Sequence, residues 1–256
     1  MSEYTQVTDK YGSSFLLYAA QRNNIDAVKF FLSLPNADIY AINRNGISAL
    51  QHALNTDNAE LMKILVSHSN FNAKYYYKDG GTILHHAVQE NKIEVVKCLC
   101  SIPSIDVNAK DQYSKKTPLH YAIQENYHEI LKYMCSNSKI DINSKDENNM
   151  TPLHYAAQTN NLEVARIICS RIDVDLNAID DNKMTPLIYA AKFNSTEVIK
   201  YLSFLPKINF TATDDQDKSA YDYSNENNNA EAVNILSIHH PTKNNSNQLH
   251  SVPQLN

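Results

Sequence analysis

The sequence predicts an all-α solenoid of stacked helix–turn–helix units joined by hairpin-like loops. A Ser or Thr recurs at steps of 34 or 35 residues, and an acidic residue follows it each time after twelve residues. Fixed periods of this length are typical of supersecondary units that stack on their neighbours. The first column is Ser14, Ser48, Thr82, Thr117, Thr151, Thr185 and Ser219, and the second is Asp26, Glu60, Glu94, Glu129, Glu163, Glu197 and Glu231.

Each unit opens with a short predicted helix. The Thr151 hydroxyl is suited to cap a helix N-terminus, and Pro152 suits the first helical position, where no N–H is needed. Leu153, Ala156 and Ala157 give this helix a narrow apolar face, which allows close packing. The same pattern predicts the first of two helices in every unit.

The first helix is predicted to end at an Asn or Asp, nine residues after the capping residue. Asparagine adopts a left-handed backbone more readily than most residues, so it can stop a helix and reverse the chain. These hinge positions are Asn23, Asp57, Asn91, Asn126, Asn160, Asn194 and Asn228. The residue after the hinge is predicted to cap the second helix, as at Asn24, Asn58, Asn161 and Ser195.

The second helix is predicted from apolar residues at helical spacing, as at Leu162, Val164 and Ile168. A short extended piece follows, with alternating apolar and polar residues as in 105–108. A turn rich in Asp, Asn and Lys then leads into the next unit. Seven such units predict fourteen helices.

Several of these motifs resemble the ankyrin repeat. Thr-Pro-Leu-His-x-Ala stands at 117–122 and 151–156, Glu-Val-Val-Lys-x-Leu at 94–99, and Asp-Val-Asn-Ala-Lys-Asp at 106–111. The resemblance implies an ankyrin-repeat solenoid that binds a partner protein without catalysis. It divides the chain into an N-terminal extension at 1–8, repeats at 9–42, 43–76, 77–111, 112–145, 146–179, 180–213 and 214–238, and a tail at 239–256. The polar composition of the tail predicts disorder.

The sequence departs from the ankyrin pattern at its glycines. The hairpin Gly is present at Gly12, Gly46 and Gly80, and the later equivalents are Lys115, Asn149, Lys183 and Asp217. Asn or Asp replaces the inter-helix Gly in every repeat. The terminal repeats fit least well, which agrees with their position, since nothing stacks on their outer faces.

Composition excludes several classes of protein. The net charge of −5 argues against a nucleic-acid surface, and no apolar run reaches the roughly 20 residues of a membrane span. The N-terminus lacks the pattern of a secretory signal, and the cysteines lie inside apolar helical segments. We therefore expect a monomeric cytoplasmic or nuclear protein that binds neither nucleic acid nor membrane.

Two columns of possible metal or redox residues are better explained as structural. Stacked helices lie about 10 Å apart, so the column His85, His120 and His154 cannot share a zinc ion, whose ligands lie at about 2 Å. The resemblance implies that this His forms hydrogen bonds within and between repeats. The same spacing exceeds the roughly 6 Å reach of a disulfide. We expect packing roles for Cys98, Cys100, Cys135 and Cys169.

Other candidate groups also favour structural roles. The tyrosine column is predicted to be half-buried with a satisfied hydroxyl; it comprises Tyr18, Tyr121, Tyr155, Tyr189 and Tyr223. The carboxylate pairs Asp180–Asp181 and Asp214–Asp215 are expected to lie exposed in turns. The chain has no phosphate-binding loop and no nucleophile or zinc-protease motif. We therefore expect no catalytic residue, no cofactor and no metal ion.

One loop stands out as a candidate for partner binding. Residues 73–82 are two residues longer than the corresponding segments before Ser48, Thr151 and Thr185, and they carry three consecutive tyrosines. Exposed tyrosines on a rigid scaffold are typical binding anchors. The alternative is that one or two of them fold back onto neighbouring loops.

The ankyrin resemblance extends this candidate surface to other loop tips and inner-helix ends, which face the concave side in that family. The partner-binding candidates are Tyr75, Tyr76, Tyr77, Lys78, Gln89, Glu90, Gln112, Tyr113, Gln124, Glu125, Glu147, Asn148, Met150, Gln158, Thr159, Asn182, Met184, Lys192 and Phe193. Phe193 is expected either to anchor a partner or to be covered by the next unit. The alternative function is a targeting or regulatory subunit that positions a partner enzyme. Catalysis by the chain itself would require a site assembled across repeats, and no residues suggest one.

Overall fold

The computed structural model describes residues 8–35 and 37–239, and these residues form fourteen α-helices and no β-strand. The helices are α1 (Phe15–Gln21), α2 (Ile25–Leu32), α3 (Ala49–Asn55), α4 (Ala59–Val66), α5 (Ile83–Gln89), α6 (Ile93–Ser101), α7 (Pro118–Gln124), α8 (His128–Ser136), α9 (Pro152–Gln158), α10 (Leu162–Cys169), α11 (Pro186–Lys192), α12 (Thr196–Ser203), α13 (Ala220–Glu226) and α14 (Ala230–Ser237). The predicted all-α class and helix number are confirmed. Most of the predicted extension and tail, at 1–7 and 240–256, lies outside the described residues.

The chain divides into an N-terminal unit, residues 1–140, and a C-terminal unit, residues 141–256. Within the N-terminal unit, inner helix α1 packs on α3 and α5 on α7, while outer helix α4 packs on α6 and α6 on α8. Within the C-terminal unit, α9, α11 and α13 pack in sequence, and so do α10, α12 and α14. Each unit is thus a stack of helix pairs around its own apolar core.

The inner helices begin at the predicted Ser and Thr residues. The side chains of Ser14, Ser48, Thr185 and Ser219 accept a hydrogen bond from a backbone N–H in the first turn. In α5, α7 and α9 the Thr is joined by a His three residues later, which accepts from the backbone N–H of the Thr and completes a capping box. The capping prediction is confirmed.

The predicted hinges adopt the left-handed backbone in every repeat. Their φ angles lie between +50° and +59° at Asn23, Asp57, Asn91, Asn126, Asn160, Asn194 and Asn228. Left-handed residues also occur in the loops, where Lys115, Asn149, Lys183 and Asp217 have φ between +56° and +60° at the positions of the missing glycines. These four residues therefore adopt the left-handed backbone conformation although none of them is a glycine.

The capping of the outer helices follows the prediction in part. The side chains of Asn24, Asn58 and Asn161 accept from the N–H three residues later, as predicted. Ser195 makes no such bond, so that prediction is wrong: its hydroxyl is fully buried and has no hydrogen-bond partner. Helix α6 follows Lys92, which also makes no cap, and the carboxylate of Asp57 in the preceding helix pair accepts from the α6 N–H groups at Glu94 and Val95 instead.

We number the loops that precede the inner helices in chain order. Each loop begins at the position that is Asp in most of them and ends at the residue before the helix cap. They are loop 1 (9–13), loop 2 (43–47), loop 3 (77–81), loop 4 (111–116), loop 5 (146–150), loop 6 (180–184) and loop 7 (214–218). No helix in the described part of the chain is long and apolar enough to cross a bilayer.

Candidate functional site

Loops 5, 6 and 7 are each held by the same side-chain clamp. In loop 5, Asp146 Oδ1 accepts from the N–H groups of Asn148 and Met150, at 2.9 Å each. Its other oxygen accepts from the Tyr155 hydroxyl at 2.6 Å. Asp180 with Tyr189 and Asp214 with Tyr223 repeat the arrangement, at 2.9 and 2.6 Å. A carboxylate with several donors fixes both the turn and the helix that follows it.

These contacts correct the prediction that Asp180 and Asp214 are exposed. Both are buried, at 5% and 2% exposure, because the loop N–H groups and the tyrosine surround the carboxylate. Burial alone would raise the pKa of Asp214, but the hydrogen bonds from Tyr223 and from the N–H groups of Lys218 and Gln216 outweigh it and lower that pKa. Their neighbours Asp181 and Asp215 are exposed, as predicted.

The tyrosine column is confirmed at four positions and wrong at one. Tyr155, Tyr189 and Tyr223 are buried, Tyr121 is half-buried, and each hydroxyl donates to the Asp of its own loop. Tyr18 is 46% exposed, and the guanidinium of Arg22 lies over its ring at 5.3 Å.

The histidine column has the structural role that the resemblance implied. His154 is fully buried; its Nδ1 accepts from the N–H of Thr151, so its Nε2 carries the proton and donates to the Met184 carbonyl at 3.0 Å. His85 bonds in the same way to Thr82 and to the Lys116 carbonyl. Burial lowers the pKa of both histidines, which keeps them neutral. Among the described residues, no cluster of His, Cys, Asp or Glu could hold a metal ion.

The cysteines are free thiols. Cys100 and Cys135 are buried, and Cys98 and Cys169 are partly buried. Burial raises the pKa of Cys100 and Cys169 to about 12, so both thiols stay protonated and unreactive at neutral pH. The predicted packing role agrees with these environments.

Two predicted partner-binding residues are buried. Met150 and Met184 are 8% and 5% exposed. Each Met closes its loop against the Asp of the clamp, and the Met184 carbonyl also accepts from His154 of the preceding helix pair. Because residues so placed pack within the loop, the prediction that both methionines are exposed at the loop tip was wrong.

The other candidates in the C-terminal unit are accessible. Gln158 is half-buried, and the exposed ones are Glu147, Asn148, Thr159, Asn182, Lys192 and Phe193. Phe193 is 46% exposed and stacks on Tyr189, with ring centroids 5.8 Å apart. The following helix pair therefore leaves half of the Phe193 side chain uncovered.

Loop 3 in the N-terminal unit lacks the clamp, because Tyr77 occupies the position of the Asp. The ring of Tyr77 packs edge-on against His86, with centroids 4.5 Å apart. Tyr75 contacts Tyr77 on one side and Tyr40 on the other, at 5.1 and 5.3 Å. Tyr77 is half-buried, which agrees with the alternative that one or two of the tyrosines fold back onto neighbouring residues. Tyr75 keeps 43% of its surface exposed.

Tyr113 in loop 4 lies across loop 3. Its hydroxyl donates to the Lys78 carbonyl at 3.1 Å, and its ring covers Gly80. A Cβ atom at Gly80, which has φ +80°, would lie 2.7 Å from that ring, so this glycine is required for the contact. Tyr113 nevertheless remains 66% exposed and offers one face to solvent.

The remaining candidates of the N-terminal unit are accessible to a partner. Tyr76 is half-buried, and the exposed ones are Lys78, Gln89, Glu90, Gln112, Gln124 and Glu125. Sequence reasoning missed Tyr40, Ile42 and Arg44, which lie near the same loops. Ile42 lies immediately before loop 2 and is 65% exposed. An apolar residue next to a loop tip is the sequence feature that could have identified this part of the surface.

Comparisons with known proteins agree with these repeating features. The family described as "Ankyrin repeats (3 copies)" matches residues 16–111, 104–180 and 170–248. The fold is similar to the crystal structure of the ankyrin repeat domain of Bcl-3, described as a unique member of the IkappaB protein family. That match has a TM-score of 0.76 and 17% identity, and it covers 89% of this chain and 100% of the other. No curated protein matches the chain in sequence.

Proposed function

Because the chain belongs to the ankyrin repeat family, we propose that it is a non-catalytic, monomeric module that binds a partner protein through its loop tips and inner helices. Ankyrin repeat domains bind other proteins and are typically non-catalytic. Within each unit, the exposed members of the candidate set form the proposed contact surface of that unit.

The observation that carries this proposal is the exposure of large aromatic side chains on fixed loops. Tyr75, Tyr113 and Phe193 are 43%, 66% and 46% exposed, although each is held by ring or hydroxyl contacts to its surroundings. Aromatic residues fixed in this way lose little entropy on binding and are common binding hot spots.

A targeting or regulatory subunit is the alternative function. It uses the same surface, and it differs only in that the partner is an enzyme whose activity or location changes on binding. An activity assay of a recovered partner, with and without this chain, separates the two functions.

The proposal is tested by capturing partners on the full-length chain and measuring the affinity of a purified partner for single variants. We expect Tyr75→Ala, Tyr113→Ala or Phe193→Ala to weaken binding by about 2 kcal/mol where the residue is a hot spot.

Phe204→Ala is the matched control, because Phe204 is 88% exposed and lies at the end of outer helix α12. Circular dichroism checks that every variant folds. Should all three test variants bind as the wild type does, or should Phe204→Ala weaken binding equally, the proposed surface is wrong for that partner.

A further inference from the structure

A gap separates loops 2 and 3 in the N-terminal unit. The inner helices α3 and α5 pack less closely on each other than α1 packs on α3 or α5 packs on α7. The outer helices α4 and α6 behind them remain closely packed. The two helix pairs therefore diverge on the side where the loops lie.

Hydrogen bonds between loop tips are interrupted at the same place. Loop 1 accepts from loop 2 through the Tyr11 carbonyl and the Arg44 N–H, at 3.1 Å. Loop 3 accepts from loop 4 through Gly80 and Gln112, at 3.0 Å. The equivalent pair between loops 2 and 3 would be the Asn45 carbonyl and the Lys78 N–H, and no described residue bonds to either group. An extended chain laid across the gap has the donors and acceptors to bond to both.

Aromatic side chains line the gap. Tyr40, Tyr75 and Tyr77 line a groove with a volume of about 510 Å³, and its other lining residues include Ile42, Lys78 and Asp79. Among the described residues, no partner bonds to the hydroxyl of Tyr75 or Tyr77. The groove therefore combines apolar ring surface with free hydrogen-bond donors, which suits the side chains and carbonyls of a peptide.

The charge of the loops differs between the two units. Loops 1–4 carry five Lys or Arg against three Asp, a formal charge of +2, and three tyrosines. Loops 5–7 carry two Lys against seven Asp or Glu, a formal charge of −5, and no tyrosine. The net charge of the whole chain, −5, does not reveal this difference between loops 1–4 and loops 5–7.

The cations around the gap are also unpaired. Within the described residues, no carboxylate pairs with the side chains of Arg44, Lys74 or Lys78. Two lysines of the outer helices, in contrast, each pair with two glutamates: Lys97 with Glu94 at 2.9 Å and Glu129 at 3.8 Å, and Lys200 with Glu197 and Glu231 at 2.8 Å each. Of these three cations, only Lys78 lines the groove, beside Asp79, and Arg44 and Lys74 lie on the chain segments that flank it. Unpaired cations on the segments that flank an aromatic groove are complementary to an acidic ligand.

The ends of the chain do not supply such a ligand. Residues 1–7 and 240–256 carry one glutamate and one lysine between them. Charge complementarity therefore favours a segment of another protein over the tail of this chain.

We infer that the groove between loops 2 and 3 binds an extended, acidic peptide segment of a partner protein, with an apolar side chain of that segment against Tyr40, Tyr75 and Tyr77. This inference rests on the proposed function and specifies its partner class. The acidic loops 5–7 exclude the same segment from the corresponding surface of the C-terminal unit.

A random 12-residue peptide library, selected on the immobilised full-length chain, tests the inference. We expect the enriched peptides to be net acidic and to contain an aromatic residue or proline. Fluorescence anisotropy then measures the affinity of the most enriched peptide for the chain and its variants.

The decisive variant reverses the three unpaired cations, Arg44→Glu, Lys74→Glu and Lys78→Glu. We expect it to weaken binding of the acidic peptide about tenfold or more, and we expect an increase from 50 to 300 mM NaCl to weaken binding to the wild type about tenfold. The matched control, Asp181→Lys, Asp215→Lys and Asp217→Lys, changes three exposed charges in the C-terminal unit and should leave the affinity within about twofold.

Three results would overturn the inference: enriched peptides without an acidic bias, no enrichment at all, or equal effects of the two triple variants. A 12-nucleotide oligouridine that binds the wild type more tightly than the acidic peptide would also overturn it and would indicate a nucleic-acid surface. The proposed function is tested separately with a whole partner protein, so a partner that depends on Tyr113 or Phe193 but is not acidic leaves that function intact.

Discussion

Loops 4–7 and loop 3 solve the same structural problem in different ways. In loops 4–7 a buried Asp holds each turn, and a tyrosine of the following helix donates to it, as Tyr155 does to Asp146 and Tyr121 does to Asp111. In loop 3 a tyrosine replaces the Asp, and packing of Tyr77 on Tyr75 and His86 holds the turn. The clamp and the residues at the loop tip vary separately, because loop 4 has the clamp and also carries the exposed ring of Tyr113.

Two features beneath the loops occur in both units. His85 and His154 make the same bonds to their capping Thr and to the carbonyl that precedes the next inner helix. The hinges of both units share the left-handed backbone. Variants at these shared positions and variants in the loops can therefore separate what the scaffold needs from what the loops do.

The largest expected effect comes from removing a clamp. Asp180→Ala leaves three donors without their acceptor: the N–H groups of Asn182 and Met184 and the hydroxyl of Tyr189. Because the bonds from Met184 and Tyr189 are buried, we expect a loss of about 3 kcal/mol in the free energy of unfolding. In loop 3, Asp79→Ala removes an exposed acceptor and should cost about 1 kcal/mol or less. Urea denaturation of both variants measures the difference, and equal losses would contradict the contrast between the loops.

The buried histidines should make stability fall in mild acid in both units. Burial lowers the folded-state pKa of His85 and His154 below the ordinary 6.5, so protonation favours the unfolded chain. Their contribution is complete above pH 6.5 and is lost as the pH falls from 6.5 towards the folded pKa, at up to about 1.4 kcal/mol per pH unit for each histidine. Unfolding free energies between pH 7.5 and 5 measure the slope.

A matched variant assigns that slope. His154→Gln removes one titrating group and should reduce the pH dependence by the share of one histidine, whatever it does to the stability at pH 7.5. A slope that is unchanged in His154→Gln would show that other groups cause the acid sensitivity.

The hinges should respond alike in the two units. Asn160→Val and Asn91→Val place a β-branched residue in the left-handed region and should each cost about 1–2 kcal/mol. Asn160→Gly should be neutral or slightly stabilising, since glycine is the preferred residue there. Thermal unfolding compares the three variants. If the valine variants melt with the wild type, backbone strain does not control these turns.

The smallest effect is expected at Ser195. Its buried hydroxyl has no hydrogen-bond partner. We therefore expect Ser195→Ala to change the free energy of unfolding by no more than about 0.5 kcal/mol in either direction. Asn161→Ala, at the equivalent position of α10, removes a cap and should cost about 1 kcal/mol. A larger loss at Ser195 than at Asn161 would mean that the serine hydroxyl does bond in solution.

The sequence was sufficient for features that depend on neighbours in the chain. The cap at Thr151, the proline after it and the Asn160 hinge are local, so their period and residue types predict fourteen helices and the left-handed turns. The partner surface was less predictable. Tyr75, Tyr113 and Phe193 are exposed as expected, but Met150 and Met184 are buried by contacts that residues from elsewhere in the chain complete.

The sequence by itself determined the repeat, the class of fold and the residues that start and stop each helix, because each of these follows from backbone preferences within one repeat. Only the tertiary structure decided which polar loop residues are buried, since Asp180 lies next to Asp181 in the chain and differs from it only in the partners that surround it. It also decided where neighbouring loops separate. The gap between loops 2 and 3 depends on how α3 and α5 pack and on a hydrogen bond that their loops do not make, and neither is written in the spacing of residues.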